Sequence, residues 1–124
     1  MDSLKAKIDP VDQSGHISSN EAKDLVLFLY NGADLEAISA GTPTWETAMP
    51  AEDGTVILIG NGQHTVNDDG VDAALLGKLT IAITAAQIAR LRRGREVPFA
   101  VKRTVGSVVK TYWGSFDEVR EAII

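Results

Sequence analysis

Cysteine is absent from the 124 residues, which excludes disulfide bridges, thiolate zinc sites and cysteine nucleophiles. The same absence fits a reducing compartment. Histidine occurs only twice, at His16 and His64. Neither stands at metal-ligand spacing from another ligand, so both read as ordinary surface residues. No run approaches the roughly 18 apolar residues of a membrane helix; the longest is Leu25 to Tyr30. The first residues, MDSLKAKIDPVDQSGH, lack the apolar segment of a secretory signal. There is no Walker loop, no GxGxxG, no Ser-His-Asp elbow and no HExxH pair. Carboxylates are plentiful, but no motif places one for acid–base work. Enzymatic turnover, a cofactor and a metal are therefore not expected.

What is present fits one domain of moderate size. A chain of this length buries roughly two-thirds of the surface that its unfolded form exposes, enough to fold without covalent staples. The net charge of −5 is unevenly placed. Residues 1–72 carry 13 acids and 3 bases, and residues 73–124 carry 4 acids and 9 bases. Such asymmetry suggests contact between copies or with a charged partner. The plainer expectation is that strands of the two halves intermix and the charges average out.

Residues 1–20 are polar and read as an N-terminal arm or short edge strand, leaving 21–124 as the single folded domain. The run LVLFLY at 25–30 is apolar on both faces, which suits a central strand or a buried helix. The Asn31-Gly32 turn behind it favours strand; the rival is a helix from Ser19 to Tyr30. TPTWETAM at 42–49 alternates, with Trp45, Thr47 and Met49 on one side. Asp53-Gly54 turns the chain into TVILIG, a β-branched run, and Asn61-Gly62 turns it again toward QHTV. In KLTIAIT, Leu79, Ile81 and Ile83 share one face. Thr84 and Gln87 have the spacing of a capping box, which predicts a short crossover helix near 85–92, with Gly94 as its left-handed stop. Val97, Phe99 and Val101 point inward in the next strand, where Pro98 suits an edge or bulge. Gly106-Ser107 is a hairpin turn and Gly114 is read as a bulge in the returning strand. Asp117 to Ile124 continue as a strand or a short helix. About seven short strands with turns every 8–12 residues predict an all-β chain: an antiparallel immunoglobulin-like sandwich, with a jelly roll as the alternative.

Three groups of residues could carry function. Asn67 to Asp72 surround Gly70 with oxygen atoms, but the alternating ligand spacing and closing glutamate of a calcium loop are missing, so a solvated turn is the better reading. From Lys78 to Lys110 there are eight bases against Glu96 alone. With Tyr112 and Trp113 nearby, phosphate contacts and base stacking come to mind. The acidic total charge and pI of about 4.9 argue against nucleic acid. Arginine forks pair with carboxylates at protein interfaces, so Arg90, Arg92, Arg93 and Arg95 are expected interface residues. Tyr112 and Trp113 are neighbours on a strand and face opposite sides, so one of them is exposed and joins that interface as an anchor. Trp45, Tyr112 and Trp113 could instead form a sugar-stacking platform, which makes a carbohydrate-binding module the alternative function; bulky aromatics more usually fill a core.

The stretch from Gly77 to Val119 has a recognisable rhythm. A Gly-led strand (Gly77 to Thr84) is followed by a Thr-Ala helical turn ending at Leu91, then Gly94. A strand from Val97 to Val101, a hairpin, and Gly114-Ser115-Phe116-Asp117-Glu118-Val119 complete it. This pattern resembles the small immunoglobulin-like domains of bacteriophage tail and baseplate proteins, in particular the N-terminal domain of baseplate upper proteins. The resemblance covers about 45 residues. It implies a non-enzymatic virion component, assembled in the host cytoplasm in repeated copies, with itself or other virion proteins as partners. With no coiled coil or receptor-binding segment after Ile124, the expectation is a stand-alone module such as a tail or baseplate accessory protein or a capsid decoration protein.

Overall fold

A computed structural model of the chain describes residues 4–9, 16–18, 21–116 and 118–120. The strands are β1 (Leu4–Ile8), β2 (His16–Ser18), β3 (Lys23–Asn31), β4 (Asp34–Leu35), β5 (Thr44–Pro50) and β6 (Val56–Ile59). They continue as β7 (His64–Val66), β8 (Lys78–Ile83), β9 (Val97–Val105), β10 (Val108–Phe116) and β11 (Glu118–Arg120). One helix, α1 (Ala85–Arg90), links β8 to β9. The all-β expectation is met, and LVLFLY is strand, within β3.

The strands form one hydrogen-bonded path in the order β6-β5-β9-β10-β1-β3-β8-β7, with β4 added on β3. Separately, β2 and β11 pair in parallel. The path is continuous because β1 bonds on both sides. It runs antiparallel to β3, with Ala6 opposite Leu29, and parallel to β10 at Lys5 and Trp113. Residues 4–8, expected in an arm or at an edge, are thus an inner strand. The sheet curls until its two ends approach. Thr47 on β5 meets His64 on β7, Oγ1 to Nε2 at 2.7 Å, and the His64 ring stacks on Trp45 at 6.3 Å.

Alternation decides what lies inside. Leu25, Leu27 and Leu29, then Leu79, Ile81 and Ile83, and Val97, Phe99 and Val101 are all buried. Trp45, Thr47 and Met49 line the same core, as their spacing predicts. Each large aliphatic side chain removed from water contributes about 1.5–3 kcal/mol. Tyr112 is fully buried and Trp113 is 64% exposed. Trp45 is therefore the core tryptophan.

At the start of α1, Thr84 Oγ1 accepts from the Gln87 amide at 3.1 Å and Gln87 Oε1 accepts from the Thr84 amide at 3.0 Å. This is the expected capping box. Ile88, fully buried, plugs one end of the core. The helix stops at Leu91 in extended conformation; Gly94 is left-handed, at φ 73°, but turns the connector into β9 rather than ending α1. Gly114 is not a bulge. The β9–β10 register runs unbroken from Val108 opposite Val105 to Phe116 opposite Val97. Glycine is needed there because a Cβ would collide with the Ala6 carbonyl and come within 2.8 Å of the Phe99 ring. Pro98 lies in an inner strand, past the last β5–β9 pair, Ala48 opposite Ala100, so its missing N–H interrupts no bond to β5.

Candidate functional site

Registers that no local pattern reveals bring four side chains into one row on the outside of the sheet. Leu58 stands opposite Ala48, Ala48 opposite Ala100, and Ala100 opposite Trp113. Val56, opposite Pro50, extends this apolar surface along β6. Trp113, Leu58 and Val56 are each more than half exposed, and the small residues between them leave a trough. The trough has a volume of about 320 Å³ and is walled by Ala48, Pro50, Val56, Pro98, Ala100 and Trp113. An apolar centre with a protruding tryptophan is the arrangement that anchors protein contacts.

Charged residues rim both ends. At one end Lys102 Nζ lies 3.3 Å from Glu46 Oε1, across opposed positions of β9 and β5. The pair is exposed and adds little stability. At the other end the arginine segment docks against the β5–β6 turn. The Arg92 amide donates to the Pro50 carbonyl at 3.2 Å, and the Glu52 amide donates to the Arg90 carbonyl at 2.9 Å. Ala51 and Leu91 form an isolated bridge between the two segments.

Arg90, Arg92 and Arg93 therefore sit together at one corner, beside the face rather than on it. Arg90 Nη2 reaches Thr55 Oγ1 at 3.4 Å, and its charge helps the Thr55 hydrogen bonds hold the Asp53 carboxyl below its usual range. Arg92 Nε donates to the Glu96 carbonyl at 3.1 Å. The Arg93 amide donates to Glu52 Oε2 at 2.9 Å, and its guanidinium bonds the Ala89 carbonyl. Arg95 is exposed in the bend before β9. Of the two aromatics, Trp113 is on the face and Tyr112 is inside.

Acids of the first half pair with bases of the second. Glu46 meets Lys102, Glu36 meets Lys110 at 3.0 Å, and Asp9 meets Lys78 at 3.9 Å. Glu52 and Asp53 face the arginine corner. Long-range strand pairing interleaves early acids with late bases, as the plainer reading of the charge pattern held.

Three polar arrangements were not legible in the sequence. Asp68 is 4% exposed, and its carboxylate accepts from three backbone amides: Ile38 and Gly77 at 3.0 Å and Gly70 at 2.9 Å. Burial pushes its pKa up, but these bonds outweigh burial and hold it below the usual carboxylate range. The Asp68, Asp69 and Asp72 oxygens are thus turned onto backbone: Asp69 Oδ1 accepts from the Val71 and Asp72 amides, and Asp72 Oδ1 from Ala74, while Asn67 Oδ1 accepts from the Thr80 hydroxyl.

Glu36 receives the Tyr112 hydroxyl at 2.5 Å and Lys110 Nζ at 3.0 Å. Burial raises the Glu36 pKa, but the bonds from Tyr112, Lys110 and Asn31 together leave it lowered. Burial pushes the Tyr112 phenol well above its ordinary value, and the Glu36 carboxylate adds to this.

His64, expected on the surface, is instead half-buried where the two ends of the curled sheet approach. Its Nδ1 lies 2.8 Å from the Gly60 carbonyl, which can only accept, so Nδ1 carries the proton and Nε2 accepts from the Thr47 hydroxyl. Burial lowers the His64 pKa despite opposing backbone hydrogen bonds. The His16 side chain lies outside the described residues. No protein-family model and no curated protein matches this chain, so its function is argued from the face itself.

Proposed function

We propose that this chain is a non-enzymatic structural protein of a phage particle, which docks on neighbouring virion proteins through the Trp113 face. The observation that carries the docking is the Leu58-Ala48-Ala100-Trp113 row, apolar across four strands and rimmed by charge. Exposed apolar surface of this extent costs solubility, and contact with a protein removes it from water. Roughly 25 cal/mol per Å² of buried apolar surface makes the Trp113 side chain the largest single contributor. The titratable groups with shifted pKa values support a structural role. Asp68, Glu36 and His64 are each engaged by backbone amides or neighbouring side chains that hold the fold.

The phage assignment rests on the resemblance of Gly77 to Val119 to baseplate-type domains. Strand neighbours support the immunoglobulin-like reading that goes with it. The path divides into β7-β8-β3-β1 and β6-β5-β9-β10, two four-stranded halves that share one core and are stitched by β1. In this reading the chain assembles in the host cytoplasm and ends in the virion. The carbohydrate alternative requires polar groups beside the stacking ring to bind hydroxyls. The trough next to Trp113 is walled by alanine, proline and aliphatic side chains instead.

The test is a photoreactive amino acid placed at position 113, or at exposed position 82 on β8, in cells assembling the particle. A discrete cross-linked protein from position 113 and none from position 82 is the expected result. No product from position 113, or equal products from both, overturns the docking reading.

A further inference from the structure

β6 ends the sheet path and pairs with β5 alone among the described residues. The register tells which of its backbone groups remain open. The Ala51 amide donates to the Thr55 carbonyl at 2.8 Å, which marks that opposed pair as hydrogen-bonded. Bonded and non-bonded pairs alternate in an antiparallel ladder. Met49 with Ile57 and Thr47 with Ile59 are therefore bonded; Pro50 with Val56 and Ala48 with Leu58 are not. Pro50 has no N–H and fits its non-bonded position. The N–H and C=O groups of Val56 and Leu58 accordingly point away from β5, giving the open edge two donors and two acceptors.

Exposed sheet edges are usually guarded by charge, proline or a bulge. β6 reads Val56-Ile57-Leu58-Ile59 and has none of these; its shortness alone limits it. Val56 is 60% and Leu58 59% exposed.

We propose that β6 pairs antiparallel with β6 of a second copy, about a two-fold axis at Ile57, with Val56 opposite Leu58 of the other copy. A strand set against its own copy in this way matches donors to acceptors, and Val56 and Leu58 of the two copies close four main-chain bonds. The register also keeps Val56 and Leu58 on the same outer face, where each covers the other. The charges suit the arrangement. β6 is uncharged, and antiparallel pairing places the two Asp53 carboxylates at opposite ends, each toward the uncharged Asn61-Gly62 end of the other copy. Parallel pairing would set them side by side. A four-residue strand offers only a small contact, below the size of stable interfaces as a class, so the pairing is concentration-dependent in solution. It becomes effective where copies are held close together. Trp113 lies three strands away, and the pairing does not depend on docking through it.

The test is amide hydrogen exchange by NMR on the full chain at about 20 µM and about 1 mM, a range that brackets weak association. The Val56 and Leu58 amides should slow by roughly tenfold or more at the higher concentration, while Ile57 and Ile59, already bonded to β5, stay unchanged. Two double variants at these exposed positions fix the register. Val56→Lys with Leu58→Lys gathers four lysines around the axis and should remain monomeric. Val56→Lys with Leu58→Glu pairs opposite charges across it and should associate again. Concentration-independent exchange at Val56 and Leu58 overturns the proposal. So does equal behaviour of the two double variants, or self-association that is lost on Trp113→Ala instead.

Discussion

Replacing Asp68 removes a carboxylate that three amides rely on, two of them buried, and the cost can be worked out from its bonds. Oδ2 serves Ile38 and Gly77, and Oδ1 serves Gly70. Bonds to a charged acceptor contribute about 1.5–3 kcal/mol each, and a buried donor left without a partner costs about 1–3 kcal/mol. Some amides will regain water once the side chain is gone, so Asp68→Ala should destabilise by about 3–5 kcal/mol. Asp68→Asn can keep its oxygen between Ile38 and Gly77, but its NH₂ then faces the Gly70 amide, donor against donor. That variant should cost about 1–3 kcal/mol. At about 4 °C per kcal/mol for a chain of this size, the alanine variant should lose roughly 12–20 °C in Tm.

The pH dependence adds a second signature. The folded pKa of Asp68 lies below its ordinary value of 3.8, so its contribution is present above that value and is lost as pH falls through the folded pKa. Urea unfolding at pH 7 and at about pH 3 should show the gap between wild type and Asp68→Asn narrowing in acid. A cost below about 1 kcal/mol for Asp68→Ala, or equal costs for the two variants, would refute the argument that three amides depend on this one side chain.

Other outcomes follow from the same geometry. In an alkaline titration read by phenolate absorbance, Tyr112 should ionise only as the fold opens. Because the folded pKa of Tyr112 is raised, its contribution to stability should be level below pH 10 and be lost above it, and Tyr112→Phe should flatten that alkaline fall. Trp113→Ala should change stability by less than about 0.5 kcal/mol and remove most iodide-quenchable fluorescence, whereas Trp45→Ala should cost about 3–5 kcal/mol. Gly114→Ala should loosen the β1–β10 junction, seen as faster exchange of the β1 amides, because its Cβ collides with the Ala6 carbonyl.

Much of the fold was legible because local physics determines it. Period-two alternation in Leu79-Ile81-Ile83 and Val97-Phe99-Val101 sorts side chains between core and solvent whatever the strands pair with. The Thr84–Gln87 capping box satisfies its own helix end without outside help. Adjacency of Tyr112 and Trp113 guaranteed that one would be exposed. The Gly114 bulge was a misreading for a related reason. A glycine within a strand signals either an irregular ladder or a close approach, and only the neighbouring strand tells which.

The candidate site was legible only in part. Trp113 could be named, but its companions Ala48, Ala100 and Leu58 carry no signal of their own. They become a surface because strands far apart in sequence pair in one particular register. The arginines stood out by composition, yet several of their groups are bonded to nearby carbonyls or oppose Glu52 and Asp53.

The chain's own order of residues was sufficient for strand content, inward faces, the short helix α1 and the absence of cysteine chemistry. These depend on contacts within a few residues or on composition alone. Tertiary structure alone decided that β1 joins the two halves, that Asp68 is a buried acceptor and Glu36 a half-buried one, that His64 bridges the approaching ends of the sheet, and that an apolar row faces outward. Each of these arises from groups brought together across long loops, and nothing local in the sequence encodes which distant strand will supply the partner.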